Sequence, residues 1–159
     1  MVANYFLKID GISGESTDAK HKDQIELVSF SWGVTQLTGG PAAGGGAGAG
    51  RAQFKAFEFL MRVNKASPQL FLASASGKHL KEAVLSVRRT GKLGLEYLKI
   101  KFSDILITSI EQQGGQEEVD EMIAFDFRAV ETQYTPQDQR GTAGPAVTAG
   151  WDLSKNTKI

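Results

Sequence analysis

The chain has 159 residues and no cysteine, which excludes disulfides, iron-sulfur clusters and thiolate zinc sites. It has two histidines, His21 and His79, each next to lysine in a polar stretch, where exposure or a loop hydrogen bond is expected. Asp18, His21 and Asp23 lie close in sequence, but Lys20 and Lys22 beside them oppose a cation, so no metal site is expected. An excess of either charge is also missing. The 18 basic and 18 acidic residues cancel, which removes the electrostatic footprint of a general nucleic-acid or membrane-surface binder. The first residues, Met1-Val-Ala-Asn-Tyr-Phe-Leu-Lys-Ile-Asp10, carry neither a basic segment nor a long apolar one. No secretory signal is expected, and no run is long enough to cross a bilayer. Neither HExxH nor a GxSxG nucleophile elbow occurs, so catalytic residues and cofactors are expected to be absent.

Glycine, by contrast, is concentrated in one place. Seven of the 18 glycines fall between Thr38 and Gly50, in a tract that also holds Pro41 and no bulky side chain. Such a tract has nothing to bury, and ordering a residue costs about 1–2 kcal/mol of conformational entropy. Alternating apolar sequence resumes on both sides, which makes the tract an extended loop of about residues 38–50 within one domain spanning 1–159. A nucleotide-binding reading fails. The glycines lack the GxGxxG spacing, no helix start follows them, and Gly77-Lys78 and Gly91-Lys92 lack the remaining P-loop residues.

Strand patterns dominate the rest. Tyr5, Leu7 and Ile9 alternate with polar residues before an Asp10-Gly11 turn. In Ile25 to Leu37, Val28, Phe30, Trp32 and Val34 share one face, as do Phe57, Phe59, Met61 and Val63 in the next run. Tyr97 to Ile110 changes phase near Ser103-Asp104, which predicts a bulge or sharp bend. Gly114-Gly115 turns into Val119 to Tyr134, and Glu117, Glu118, Asp120 and Glu121 around it read as solvated charge. One short helix is predicted, with Ser67 as cap, Pro68 in the first position, Leu70, Phe71, Ala73 and Ala75 as the apolar face, and Gly77 as the stop. Arg88-Arg89 should send one arginine to each face, one of them to an ion pair or an interface. Trp151 is read as the anchor of the last strand, with a partner contact as the alternative. The pattern predicts a mainly β fold, a β-barrel of two packed sheets with one short α-helix at an open end. The long runs at Tyr97 to Ile110 and Val119 to Tyr134 are expected to be its exposed edges.

The ordered set of motifs resembles the haemolysin-coregulated protein family, Hcp, of bacterial type VI secretion. The resemblance is carried by Phe6-Leu-Lys-Ile-Asp-Gly-Ile-Ser-Gly-Glu-Ser16, His21, Ser29-Phe-Ser-Trp-Gly33 and the glycine tract. It continues through Lys65-Ala-Ser-Pro68, Ala75-Ser-Gly-Lys-His79, Val87-Arg-Arg89, Tyr97 to Ile110, Tyr134-Thr-Pro136 and Gly150-Trp-Asp-Leu153. It implies a tail-tube-like protomer that forms a hexameric ring, a homo-hexamer stacked into a hollow tube. The tube would be capped by a VgrG-type spike, expelled by a contracting sheath on a baseplate, and able to carry small effector proteins. No catalytic activity, fused toxin domain, nucleic-acid partner or membrane partner is implied. The protein would be cytoplasmic until firing and then secreted. The tract, with Thr38, Gly39, Gly40, Pro41, Gly44, Gly45, Gly46, Gly48 and Gly50, becomes the expected ring-stacking element, and Arg88, Arg89 and Trp151 the candidate interface residues. A tail-tube protein of a contractile phage or phage-like particle is the alternative.

Overall fold

A computed structural model describes residues 3–38, 49–90 and 94–159. Gly39, Gly40, Pro41, Gly44, Gly45, Gly46 and Gly48 therefore lie outside the described residues. The strands are β1 (Ala3–Ile9), β2 (Ile25–Leu27), β3 (Ser29–Thr38), β4 (Ala49–Arg62), β5 (His79–Arg89), β6 (Glu96–Gly114), β7 (Val119–Tyr134), β8 (Val147–Asp152) and β9 (Thr157–Lys158), with α1 (Ser67–Ser76) between β4 and β5.

The mainly β architecture with one short helix agrees with the sequence pattern. Its strands pair as one continuous antiparallel sheet, in the order β2-β1-β5-β6-β7-β4-β3, with β8 and β9 branching from β7. β2 and β3 end this path without pairing to each other, and one residue, Val28, joins them covalently. The Val28 N–H donates to Leu60 O at 2.8 Å. β6 and β7 are not edges, contrary to expectation: β6 lies between β5 and β7, and β7 has partners on both sides. Their apolar residues belong to the core because they are central strands.

β7 changes partner along its length. Asp120–Phe125 pairs with β4, and Ala129–Tyr134 pairs with β8. The sheet therefore forks, with the β3–β4 hairpin as one arm and β8–β9 as the other. Thr38 and Gly50, the ends of the glycine tract, are strand residues in the first arm. Thr38 pairs with Ala49, and the register slips at Leu37. A Cβ on Gly50 would sit 2.0 Å from Leu37 O, so only glycine fits beside that slip.

The core is aromatic. Phe57, Phe59, Phe102 and Phe125 are fully buried among Leu7, Ile25, Leu85 and Ile100. The phase change in β6 occurs where expected, through Asp104 at φ +52°. The register slip itself lies four residues on, between Ile107 and Ser109. Three apolar positions fall outside the core despite their spacing. Val28 is 51% and Val34 56% exposed, the first because the chain changes partner there, the second because it lies on the projecting arm. Val63, past the end of β4, is also exposed.

Helix α1 starts at Ser67, with Pro68 in its first turn, and stops at Gly77, which takes φ +65°. Ser67 is not the cap. It is the first helical residue, and its side chain caps no helix N–H. Its Oγ instead accepts the Asn64 N–H at 3.0 Å and donates to the Glu121 carboxylate. Only the 67, 70 and 73 ridge of the helix is buried. Phe71 and Ala75, expected on that face, are exposed. Glu121 is likewise no solvated charge: it is buried, and its second oxygen accepts from Gln112 Nε2 at 2.9 Å.

Gly14 lies in the covering segment between β1 and β2, where a Cβ would come within 2.5 Å of Gln24 O and 2.8 Å of Ile25 Cα. Both neighbours are backbone and cannot swing away. Gly14→Ala is expected to cost about 1–3 kcal/mol, read as a lower urea midpoint; an unchanged midpoint would show that this segment yields freely.

Candidate assembly surfaces

Phe6 has the wrong parity for the barrel interior, yet it is buried. It points outward from β1 beneath the 13–24 segment, which is tied down by Gly14 N–H to Asp23 O, Ser16 N–H to Gln24 O and Asp23 N–H to Ser16 O. His21 stacks on Phe6 at 4.4 Å and 11°, and Arg88 lies 5.1 Å from the same ring. His21 is therefore buried, correcting the expectation of an exposed loop residue, although the loop hydrogen bond is present: Nδ1 is 3.1 Å from Gln24 Oε1. Its Nε2 lies 2.6 Å from Glu96 Oε1, without the alignment of a hydrogen bond. His79 is exposed, 3.0 Å from Asp104. Asp18, His21 and Asp23 do not converge.

Arg88 Nη2 donates to Asp18 Oδ2 at 2.5 Å. That bond, helped by the Lys20 N–H, lowers the Asp18 carboxyl to about 2. An unfolded aspartate titrates near about 3.9, so the folded state gains from the ionised form. This gain is complete above about pH 4 and disappears as pH falls toward about 2. Urea midpoints of wild type and Asp18→Asn should accordingly converge across that window; a constant gap would show that the pair does not couple to folding.

Arg89 is exposed, 4.8 Å from the Tyr97 ring, and makes no ion pair among the described residues. Arg88 and Arg89 thus separate, one held by the covering segment and one over the Tyr97 ring.

The fork encloses an apolar cleft of about 350 Å³. Trp32, Val34 and Phe54 line it from the β3–β4 arm, and Val130, Ala149 and Trp151 from β7 and β8. Trp151 pairs with Val130 and Lys158, which places it in the last ladder and in the cleft wall at once. Among the described residues one hydrogen bond ties the arms, from Arg51 Nη2 to Leu153 O at 3.1 Å. The turn between β8 and β9 is fixed by Asp152, whose carboxyl is lowered by the Ser154 hydroxyl and the Lys155 N–H, with Arg128 at 2.9 Å. Among the described residues β3 pairs on one side only, and Val147–Ala149 of β8 has no outer partner. The cleft and its two unpaired edges were not legible beforehand, because the fork arises from a partner exchange in β7 that leaves no mark on its alternating pattern.

Residues 6–134 match the family described as type VI secretion system effector, Hcp. Protein hcp1 of Pseudomonas aeruginosa is 33% identical over 162 residues, spanning 99% of each chain. Among solved structures, a type six secretion system protein superposes with a TM-score of 0.92 at 28% identity, over 99% of this chain and 100% of that one. Hcp1 from Salmonella typhimurium gives 0.83 at 34% identity over the whole of both chains.

Proposed function

Because the chain belongs to the Hcp family of type VI secretion proteins, we propose that it is the subunit of a hollow secretion tube, assembling as a hexameric ring that stacks on further rings. The observation that carries this reading is the forked sheet, in which β3 and the Val147–Ala149 stretch of β8 each keep an unpaired side among the described residues, and these two edges are unlike each other. Unlike edges favour a head-to-tail contact between copies, and such contacts close into rings when the rotation allows. Pairing also removes edges that would otherwise aggregate. The balanced charge of 18 against 18 sets no net repulsion against self-association.

In this reading the glycine tract meets the next ring, a spike protein caps the stack, and a sheath on a baseplate drives it from the cytoplasm out of the cell. Small effector proteins would travel in the lumen. Catalysis has no place in it: the buried Ser67 hydroxyl is committed to Glu121 and has no histidine beside it, while His21 and His79 face Glu96 and Asp104. Thr38, Ala49 and Gly50 are already strand residues of the arm, so fixing the other ten residues of the tract on stacking would cost roughly 10–20 kcal/mol, and alanine methyls return little of it. Single rings should therefore prevail at micromolar concentration, with tube growth waiting for a template. Electron microscopy of the purified protein is expected to give six-fold rings; particles of one chain's mass would overturn the proposal.

A further inference from the structure

A groove of about 590 Å³ runs between α1 and the end of β6, lined by Phe71 and Ser74 from the helix, Ser109, Ile110 and Gln112 from β6, and Glu121 from β7. Phe71 and Ser74 stand one turn apart on α1 and so share a face. Gln112 and Glu121 are cross-strand partners, so their side chains leave the sheet on the same side. Glu121 is 1% exposed. It makes no ion pair among the described residues, and no lysine, arginine or histidine among them lines the groove.

Both oxygens of Glu121 accept from neutral donors, Oε1 from the Ser67 hydroxyl and Oε2 from Gln112 Nε2 at 2.9 Å. Accepting on both oxygens is the pattern of an ionised carboxylate. A buried charge met only by neutral partners is costly, and such charges are ordinarily matched by an opposite one. The two donors also differ in hold. Ser67 is buried, with its Oγ fixed by the Asn64 N–H, whereas Gln112 is exposed on a flexible stem. Oε2 is therefore the oxygen that a ligand can claim.

We infer that this groove binds a primary ammonium on an unbranched apolar stem, which takes Oε2 of Glu121 in place of the Gln112 amide. The stem lies along Phe71 and Ile110, and the Ser74 and Ser109 hydroxyls are acceptors for the remaining ammonium hydrogens. A guanidinium fits less well, because its fork wants two carboxylate oxygens and Oε1 is already committed to Ser67. Glu111 and Asp120, the sequence neighbours of Gln112 and Glu121, are exposed acids without an ion pair among the described residues; they favour the approach of a cation. One chain builds the whole groove, so the inference does not depend on the ring reading.

Saturation-transfer difference NMR on the full chain tests it with n-pentylamine, n-pentanol and the Nα-acetyl amides of lysine and arginine. The amine is expected to bind about tenfold or more tighter than the alcohol of equal length. Glu121→Gln should remove that advantage, and Phe71→Ala, at an exposed position, should weaken both ligands. Gln112→Ala should tighten the amine, because its competitor for Oε2 is gone; a wall residue with no such role would cost affinity when removed. Circular dichroism checks each fold, and if Glu121→Gln unfolds, the alcohol comparison and Gln112→Ala decide. The lysine amide binding as tightly as pentylamine would uphold the site and make a protein's lysine its source. Binding of pentylamine alone would uphold it with a free amine as the source. Equal binding of amine and alcohol would overturn the inference, as would a weaker amine with Gln112→Ala, or an arginine amide held more tightly than the lysine one.

Discussion

Replacing Phe57 with alanine is expected to destabilise the fold by about 3–5 kcal/mol. The side chain is fully buried and touches Phe30, Phe59, Phe102 and Phe125 at ring-centroid distances of 4.8 to 5.9 Å. These rings come from β3, β4, β6 and β7, so the vacated space lies where four strands meet. Rigid aromatic neighbours in paired strands cannot collapse far into it, which places the cost at the upper end of core truncations. Offset and tilted ring contacts add to the burial term that is lost. Urea unfolding should be compared at one protein concentration, since self-association adds a concentration-dependent contribution to stability. A loss below about 1 kcal/mol would show that the cluster repacks.

Replacing residues 39–48 with an Asn-Gly turn is expected to leave rings of unchanged mass and to abolish secretion. Thr38 already pairs with Ala49, and a two-residue turn suits the right-handed twist of such a hairpin. The arm below the turn keeps its register, so the cleft it helps to form is untouched. What disappears is the glycine-rich tract proposed to meet another ring. Light scattering reads the ring, and immunoblotting of culture supernatant reads secretion. Monomers would assign the tract to the lateral contact, and normal secretion would remove it from stacking.

Much of the architecture was legible because burial in a strand leaves a period of two. Phe57, Phe59 and Met61 announce a strand facing a core, and Pro68 and Gly77 bound the helix by their backbone constraints. The misread positions are those where a second layer or a change of partner overrides the period. Phe6 faces away from the barrel and looks exposed until residues 13–24 fold over it. That covering segment is built from Ser16, Asp18 and His21, which carry no apolar signature. Glu121 reads as one charge among four near a turn, but its alternation places it inward, where Ser67 and Gln112 satisfy it. Val28 keeps the parity of Phe30 and Trp32 yet is exposed, since the strand exchanges partners beside it. The apolar cleft was the least legible part: Trp32, Val34 and Trp151 look like ordinary strand residues until the fork brings them together.

The single-residue joint at Val28 also bears on mechanical strength. A sheet pulled across its strands opens rung by rung, but here the β1 side and the β4 side are connected by peptide bonds through one continuous chain. Under such a load the two ends of the sheet path cannot part at that seam without breaking the backbone. Failure moves instead to the shortest ladders, the three rungs joining β1 to β2 and the two joining β8 to β9. A chain loaded in this way would shed its C-terminal strand before the long central ladders opened.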